Sequence, residues 1–254
     1  MKIVYIVSPA RSGSTFLQFL LSGHPDVVGV GEVRQVLRNY CQEGVTKEPS
    51  TCSCGAPPSG CPFWGTVIQD LAGLSTLDGL EHIVARFSEL FPDKIMVDSS
   101  KKETFLKKGY AALMRSDACI DLKVKILFLV RDFRGWVISI RKHRHKTGQK
   151  GIWHSNTVIN SYRWLYTTLK RLYKIRKCQI HFFPVYYEHL VFDTETQLRR
   201  IYDFIELPLA ETPHVSQSQV HELYGSPGMK NDPKKQSRLV YDTQWMWNLT
   251  FMFT

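Results

Sequence analysis

The feature that most constrains this chain is its first twenty residues. Lys2 to Val7 is a short apolar run of the kind found in a fully buried strand. Ser8-Pro9-Ala10-Arg11-Ser12-Gly13-Ser14-Thr15 breaks it. Phe16, Leu17, Leu20 and Leu21 then recur at helical spacing until Gly23. A buried strand feeding a helix through a tight polar loop is the opening unit of a parallel α/β sheet.

The rest of the chain repeats the alternation. Asp78 and Glu81 read as a capping box for a helix with Leu80, Ile83, Val84, Phe87 and Leu90 on one face, stopped at Pro92. Ile95 to Val97 is a short strand ending at Asp98, and Val124 to Val130 is another. A helix carrying Trp136, Val137 and Ile140 follows. A long helix from about Ser155 to Lys177 is expected to bury Ile159, Tyr162, Tyr166, Leu169 and Tyr173. Ile180 to Tyr186 is strand-like, and Thr194 to Ile205 is helical. This order implies one parallel sheet covered on both faces, which binds ligands at the carboxyl ends of its strands. One domain is expected over 1–254, with a Cys-rich insert at about 41–64.

Charge narrows the ligand. Lys plus Arg is 33 and Asp plus Glu is 23, a net of +10, which suits an anionic partner. No basic tail or nucleic-acid motif is present, so a compact anion is favoured over nucleic acid. The longest aliphatic or aromatic runs have five residues, against about 20 for a membrane span. A soluble, cytoplasmic chain without a signal peptide is expected.

The loop at 8–15 occupies the place of a Walker A phosphate loop, G-x-x-x-x-G-K-[ST]. Ser8 stands for the first Gly and Ser14 for the Lys. Gly13, three hydroxyls and Arg11 remain at a helix N-terminus, where free backbone N–H groups favour an anion. The missing Lys argues against NTP hydrolysis. Asp98 sits where a Walker B aspartate could be, but reads better as a cap working through Ser99 and Ser100.

Arg11-Ser12-Gly13-Ser14-Thr15, continuing to His24-Pro25-Asp26-Val27 and Glu32, resembles the 5′-phosphosulfate loop of sulfotransferases. These enzymes use 3′-phosphoadenosine 5′-phosphosulfate (PAPS). The likeness is to the tyrosylprotein, Golgi carbohydrate and related bacterial branches. Arg131-Asp132-Phe133-Arg134-Gly135 with Ser139 resembles the 3′-phosphate motif. Asp98-Ser99-Ser100-Lys101 resembles the segment that places a catalytic lysine. Val185-Tyr186-Tyr187-Glu188 resembles the tyrosine-bearing strand end near the nucleotide. The resemblance covers about residues 1–40 and 95–205 and implies a P-loop NTPase-like α/β fold. It also implies transfer of a sulfuryl group from PAPS to a hydroxyl or amine, with PAP as product and a bacterial origin.

The resemblance assigns Arg11 and Ser12 to Thr15 to the 5′ end, Arg131 and Ser139 to the 3′-phosphate, and Tyr187 to the adenine. It offers Lys230, in the late Gly225-Ser226-Pro227-Gly228-Met229-Lys230 loop, as a further nucleotide contact. Arg11 and Lys101, with Lys102 as competitor, are candidates to stabilise the leaving oxygen without a metal. Glu32 is the candidate base, and His24 is the runner-up. Tyrosine peptide, carbohydrate, lipid and small molecule all stay open as acceptors. The alternatives are a kinase with a degenerate Walker loop and a non-catalytic nucleotide-binding adaptor.

Two segments stand apart. Cys41, Cys52, Cys54 and Cys61 could bind zinc, although the C-x-C spacing is tighter than usual; structural thiols are the stronger reading. Arg141 to Lys150 is strongly basic and reads first as a solvated helix end.

Overall fold

The computed structural model describes residues 1–41, 49, 51–116, 121–148, 156–177, 179–209 and 219–226. Six parallel strands form one sheet: β1 (Lys2–Val7), β2 (Val27–Gly31), β3 (Ile95–Lys101), β4 (Lys123–Val130), β5 (Phe182–Tyr186) and β6 (Gln219–Val220). Their order is β5-β4-β1-β3-β2-β6. The strongly buried β1 lies centrally, as an uninterrupted apolar run requires. Its residues alternate between faces. Ile3, Tyr5 and Val7 join one core. Val4 and Ile6 join the other.

Helices cover both faces. The first core takes α2 (Val33–Tyr40), α3 (Thr76–Leu90) and the Cys-rich insert. The second takes α1 (Ser14–Leu21) and, after β5, α6 (Tyr187–Phe192) and α7 (Thr194–Ile205). Between β4 and β5 lie α4 (Phe133–Lys146) and α5 (Thr157–Arg176). The expected parallel, doubly covered sheet is therefore present.

Three local expectations are corrected. Helix α3 is capped by Ser75, whose hydroxyl accepts from the Asp78 amide at 3.2 Å. The sequence supports a box from Asp78 to Glu81, but the helix begins one turn earlier and places Asp78 in its first turn. The second correction concerns β3, which runs on through Asp98, Ser99 and Ser100 to Lys101. Asp98 is thus a buried strand residue and not a helix cap.

The third concerns the face of α5. Tyr162, Tyr166, Leu169 and Tyr173 are exposed, Tyr162 at 71%. The inward face carries Asn160, Thr168, Arg171 and Ile175. Apolar spacing pointed the wrong way because the inward face makes polar contacts. Asn160 accepts from Arg144 at 2.8 Å, and Arg171 pairs with Glu103 at 2.8 Å. Lys170 and Lys177 lie over the rings of Tyr166 and Tyr173. The basic end of α4 reads as expected, with Lys142, His143, His145 and Lys146 exposed.

Loss of the α3 cap has a measurable cost. Ser75→Ala should lower stability by about 1 kcal/mol in urea unfolding. An unchanged midpoint would show that Ser75 does not close this helix.

Candidate active site

The carboxyl ends of β1, β3 and β2 lie side by side, and each delivers a candidate residue. From β1 the chain turns through 8–13 into α1. Arg11 and Gly13 both adopt left-handed backbone, with φ of 70° and 99°. Gly13 is required for a second reason. A Cβ there would sit 2.6 Å from the Tyr187 ring. Helix α1 has Gly13 at its N-cap, no capping side chain and no acidic residue in its first turn. Its first amide groups therefore favour an anion.

Arg11, Arg131 and Ser139 come together around this loop. Arg11 Nε–H points to Ser139 Oγ at 3.4 Å, and Arg131 Nη1 donates to the Arg11 carbonyl at 3.3 Å. Trp136 Nε1–H holds the Ala10 carbonyl at 2.7 Å. Burial and then the Arg131 charge lower the Arg11 pKa from its ordinary value. Among the described residues neither arginine forms an ion pair with a carboxylate. The hydroxyls of Ser8 and Ser12, and Arg131 Nε, are buried without a hydrogen-bond partner. Two cations, unpartnered buried donors and a glycine cradle fit a group with concentrated negative charge. Tyr187 begins α6, packed beneath Gly13 with the Arg131 guanidinium 4.7 Å from its ring centre. In this structure the ring seats the loop.

Lys101 ends β3 in left-handed backbone, φ 67°. Its amino group makes an ion pair with Glu32, which follows β2. Both side chains are partly exposed, at 17% and 23%. Lys102, the other lysine of the pair, is exposed. The Lys101 carbonyl accepts from the Ser8 amide at 3.4 Å and from Arg171 Nη1 at 2.7 Å. Arg171 also pairs with the buried Glu103, which takes a second bond from Lys174 at 3.0 Å. Sequence reasoning missed Arg171. Its only signal was a cation on the helix face opposite the aromatic stripe.

Asp98 organises the same corner. One oxygen accepts from the Ser100 amide at 2.7 Å and the Ser100 hydroxyl at 2.5 Å. The other accepts from the Tyr110 hydroxyl at 2.8 Å. Ser100 Oγ accepts from the Arg34 amide at 2.9 Å, which ties α2, and Glu32 before it, to β3. Register shifts in β1–β3 and β2–β3 fall at this corner. Such bulges commonly re-aim side chains near active sites. His24 lies at the other end of β2, where Nε2 meets the Pro208 carbonyl at 3.0 Å and Nδ1 accepts from the Asp26 amide. It is a structural histidine remote from the loop. Lys230 lies outside the described residues.

Cys41 packs against Gly79 of α3. The other three insert cysteines, Cys52, Cys54 and Cys61, gather around His221. Of the four cysteines that could bind zinc, Cys41 is therefore not part of this cluster.

Residues 2–248 match the family described as sulfotransferase domain. The chain belongs to the sulfotransferase domain family. It is similar to the sulfotransferase domain from the curacin biosynthetic pathway, at 19% identity and a TM-score of 0.64, over 96% of this chain and 88% of that one. It is also similar to the sulfotransferase domain of the Synechococcus PCC 7002 olefin synthase, at 19% identity and a TM-score of 0.52, over 100% of this chain and 94% of that one. No curated protein matches it. Family and fold together make this chain a sulfotransferase with the P-loop NTPase-like sheet expected from its sequence. PAPS is the usual donor of the family, and no helix among the described residues is long and apolar enough to cross a membrane.

Burial pushes the Asp98 carboxyl up to about 7, against the pull of its hydrogen bonds to Ser100 and Tyr110. In the unfolded chain an aspartate titrates near about 4. The folded protein therefore holds the extra proton between these values. Stability from this group is complete below about pH 4 and is lost as pH rises through about 7. Asp98→Asn should flatten that part of the pH–stability curve measured by urea unfolding. An unchanged slope would rule out a protonated, buried Asp98.

Proposed function

We propose that this sulfotransferase uses PAPS as donor and that Glu32, Arg11 and Lys101 carry the transfer to a hydroxyl or amine acceptor. The observation that carries the reading is the convergence of Arg11, Arg131 and Ser139 on a left-handed glycine loop, beside a Lys101–Glu32 pair. Bound there, PAPS would supply an activated sulfuryl group.

Arg11 and the amides of residues 12–15 hold the 5′ end, with Ser12, Ser14 and Thr15 adding hydroxyls. Arg131 and Ser139 hold the 3′-phosphate. Tyr187 seats the loop from below, at the nucleotide's border. Glu32 accepts the proton of the acceptor hydroxyl as it attacks. Lys101 exchanges its contact with Glu32 for the oxygen that leaves sulfur, and Arg11 shares that charge. A sulfuryl group carries less negative charge than a phosphoryl group, so fixed cations suffice for a clamp that phosphoryl transfer assigns to magnesium. The location expected from the sequence, a reducing cytoplasm, belongs to the same reading and suits unpaired thiols.

The kinase alternative loses ground, because the Walker lysine position is taken by Ser14, buried in the first turn of α1. The adaptor alternative would leave the Lys101–Glu32 pair without a purpose.

Two variants separate binding from chemistry. Arg11→Ala should cut transfer from labelled PAPS by about 100- to 1,000-fold, the usual cost of losing one well-aimed donor. It should also weaken binding of adenosine 3′,5′-bisphosphate in calorimetry. Glu32→Gln should bind that nucleotide as the parent does and slow transfer by about 100-fold or more. Parent-like turnover in Glu32→Gln would assign the base elsewhere.

A further inference from the structure

Away from the nucleotide loop, a second cluster has no part in the chemistry above. Cys52, Cys54, Cys61 and His221 each offer one ligand atom, and the four atoms lie within 4.8 Å of one another. Cys61 Sγ is 3.6 Å from Cys52 Sγ, 3.8 Å from Cys54 Sγ and 3.4 Å from His221 Nδ1. A tetrahedron with Zn–S of about 2.3 Å and Zn–N of about 2.05 Å has edges of about 3.8 Å between sulfurs and about 3.5 Å between sulfur and nitrogen. The three separations from Cys61 match these edges, and the remaining pairs lie within 4.8 Å.

We propose that these four residues form a structural zinc site, closed by Cys₃His ligation, that pins the Cys-rich insert to the edge strand of the sheet.

The surroundings are built for such a site. Cys52 to Gly55 form a tight turn, with the Gly55 amide on the Cys52 carbonyl at 3.0 Å and Gly55 at φ 90°. The turn lets a C-x-C pair present both sulfurs to one point. The Trp64 amide points at Cys61 Sγ from 3.4 Å, which supports a thiolate. The His221 ring packs against both Phe63 and Phe91, with ring centres 6.2 and 5.9 Å away. Ligation through Nδ1 leaves the imidazole proton on Nε2. Binding sends the remaining thiol protons to solvent and leaves three thiolates and a neutral imidazole around the dication.

The fold also needs a cross-link here. Strand β6 has two residues and pairs with β2 only at Val28↔Gln219 and Gly29↔Val220. The described part of the insert has short 3₁₀ turns at Pro58–Gly60 and Trp64–Thr66 as its helical elements. Three hydrogen bonds join Ser53 to residues 220 and 222, and Trp64 Nε1–H reaches the His221 carbonyl at 2.5 Å. A Cβ on Gly31 would sit 2.8 Å from Glu222 Cγ. Gly31 directly precedes Glu32, so a metal at His221 would brace the strand that backs the candidate base. Sequence spacing could not find this set, because its fourth ligand is 160 residues from Cys61.

The test reads metal and not turnover, so it stands or falls apart from the catalytic reading. Protein purified under reducing conditions should hold about one zinc per chain by mass spectrometry of the metal. Cobalt substitution should give thiolate-to-metal charge-transfer and tetrahedral d–d bands. Cys54→Ser removes an exposed ligand, and His221→Ala removes the distant one. Each should weaken zinc binding by more than about 100-fold, and Cys41→Ala should keep the full zinc content. Three results would each overturn the proposal: parent protein that takes up no zinc or cobalt, unchanged affinity in both ligand variants, or a Cys52–Cys61 disulfide in the reduced preparation.

Discussion

The site depends on how one carbonyl is held. Lys101 sits in left-handed backbone, a conformation that a residue other than glycine keeps only when its surroundings enforce it. Here the Ser8 amide and the Arg171 guanidinium both grip its carbonyl. The first grip joins β3 to the start of the anion loop. The second anchors it to a buried Arg171–Glu103 pair. Released from either, the lysine would have no reason to turn toward Glu32.

A buried ion pair is weak evidence for stability, since desolvation offsets much of the attraction. Arg171–Glu103 is better understood as a fixed reference point. It costs α5 an apolar inward face and leaves a stripe of tyrosines in solvent. Asp98, within β3 itself, is the companion device. Its carboxyl takes up polar groups at a strand irregularity and relays through Ser100 to the first turn of α2. The two buried acids, Asp98 and Glu103, thus hold the backbone that positions Lys101 and Glu32.

The parts legible in the sequence were those governed by local physics. The apolar run at β1, the Gly13 turn and the apolar period of α1 predict their elements within a residue. The motif order placed Arg11, Glu32, Lys101 and Arg131 at strand ends, where parallel sheets bind ligands. What stayed hidden was long-range. The inward face of α5 is chosen by Glu103 and the Lys101 carbonyl, which no helical period encodes. The α3 cap moved because Ser75 and Asp78 compete for one helix start. His221 met the cysteines only through the pairing of β6 with β2.

The central claim is that the loop at 8–15 grips a doubly anionic adenosine nucleotide. A crystal soaked with adenosine 3′,5′-bisphosphate tests it most directly. Density should place the 5′-phosphate on the amides of residues 12–15 and the 3′-phosphate against Arg131 and Ser139. A nucleotide bound elsewhere, or a vacant loop at saturating ligand, would contradict the account.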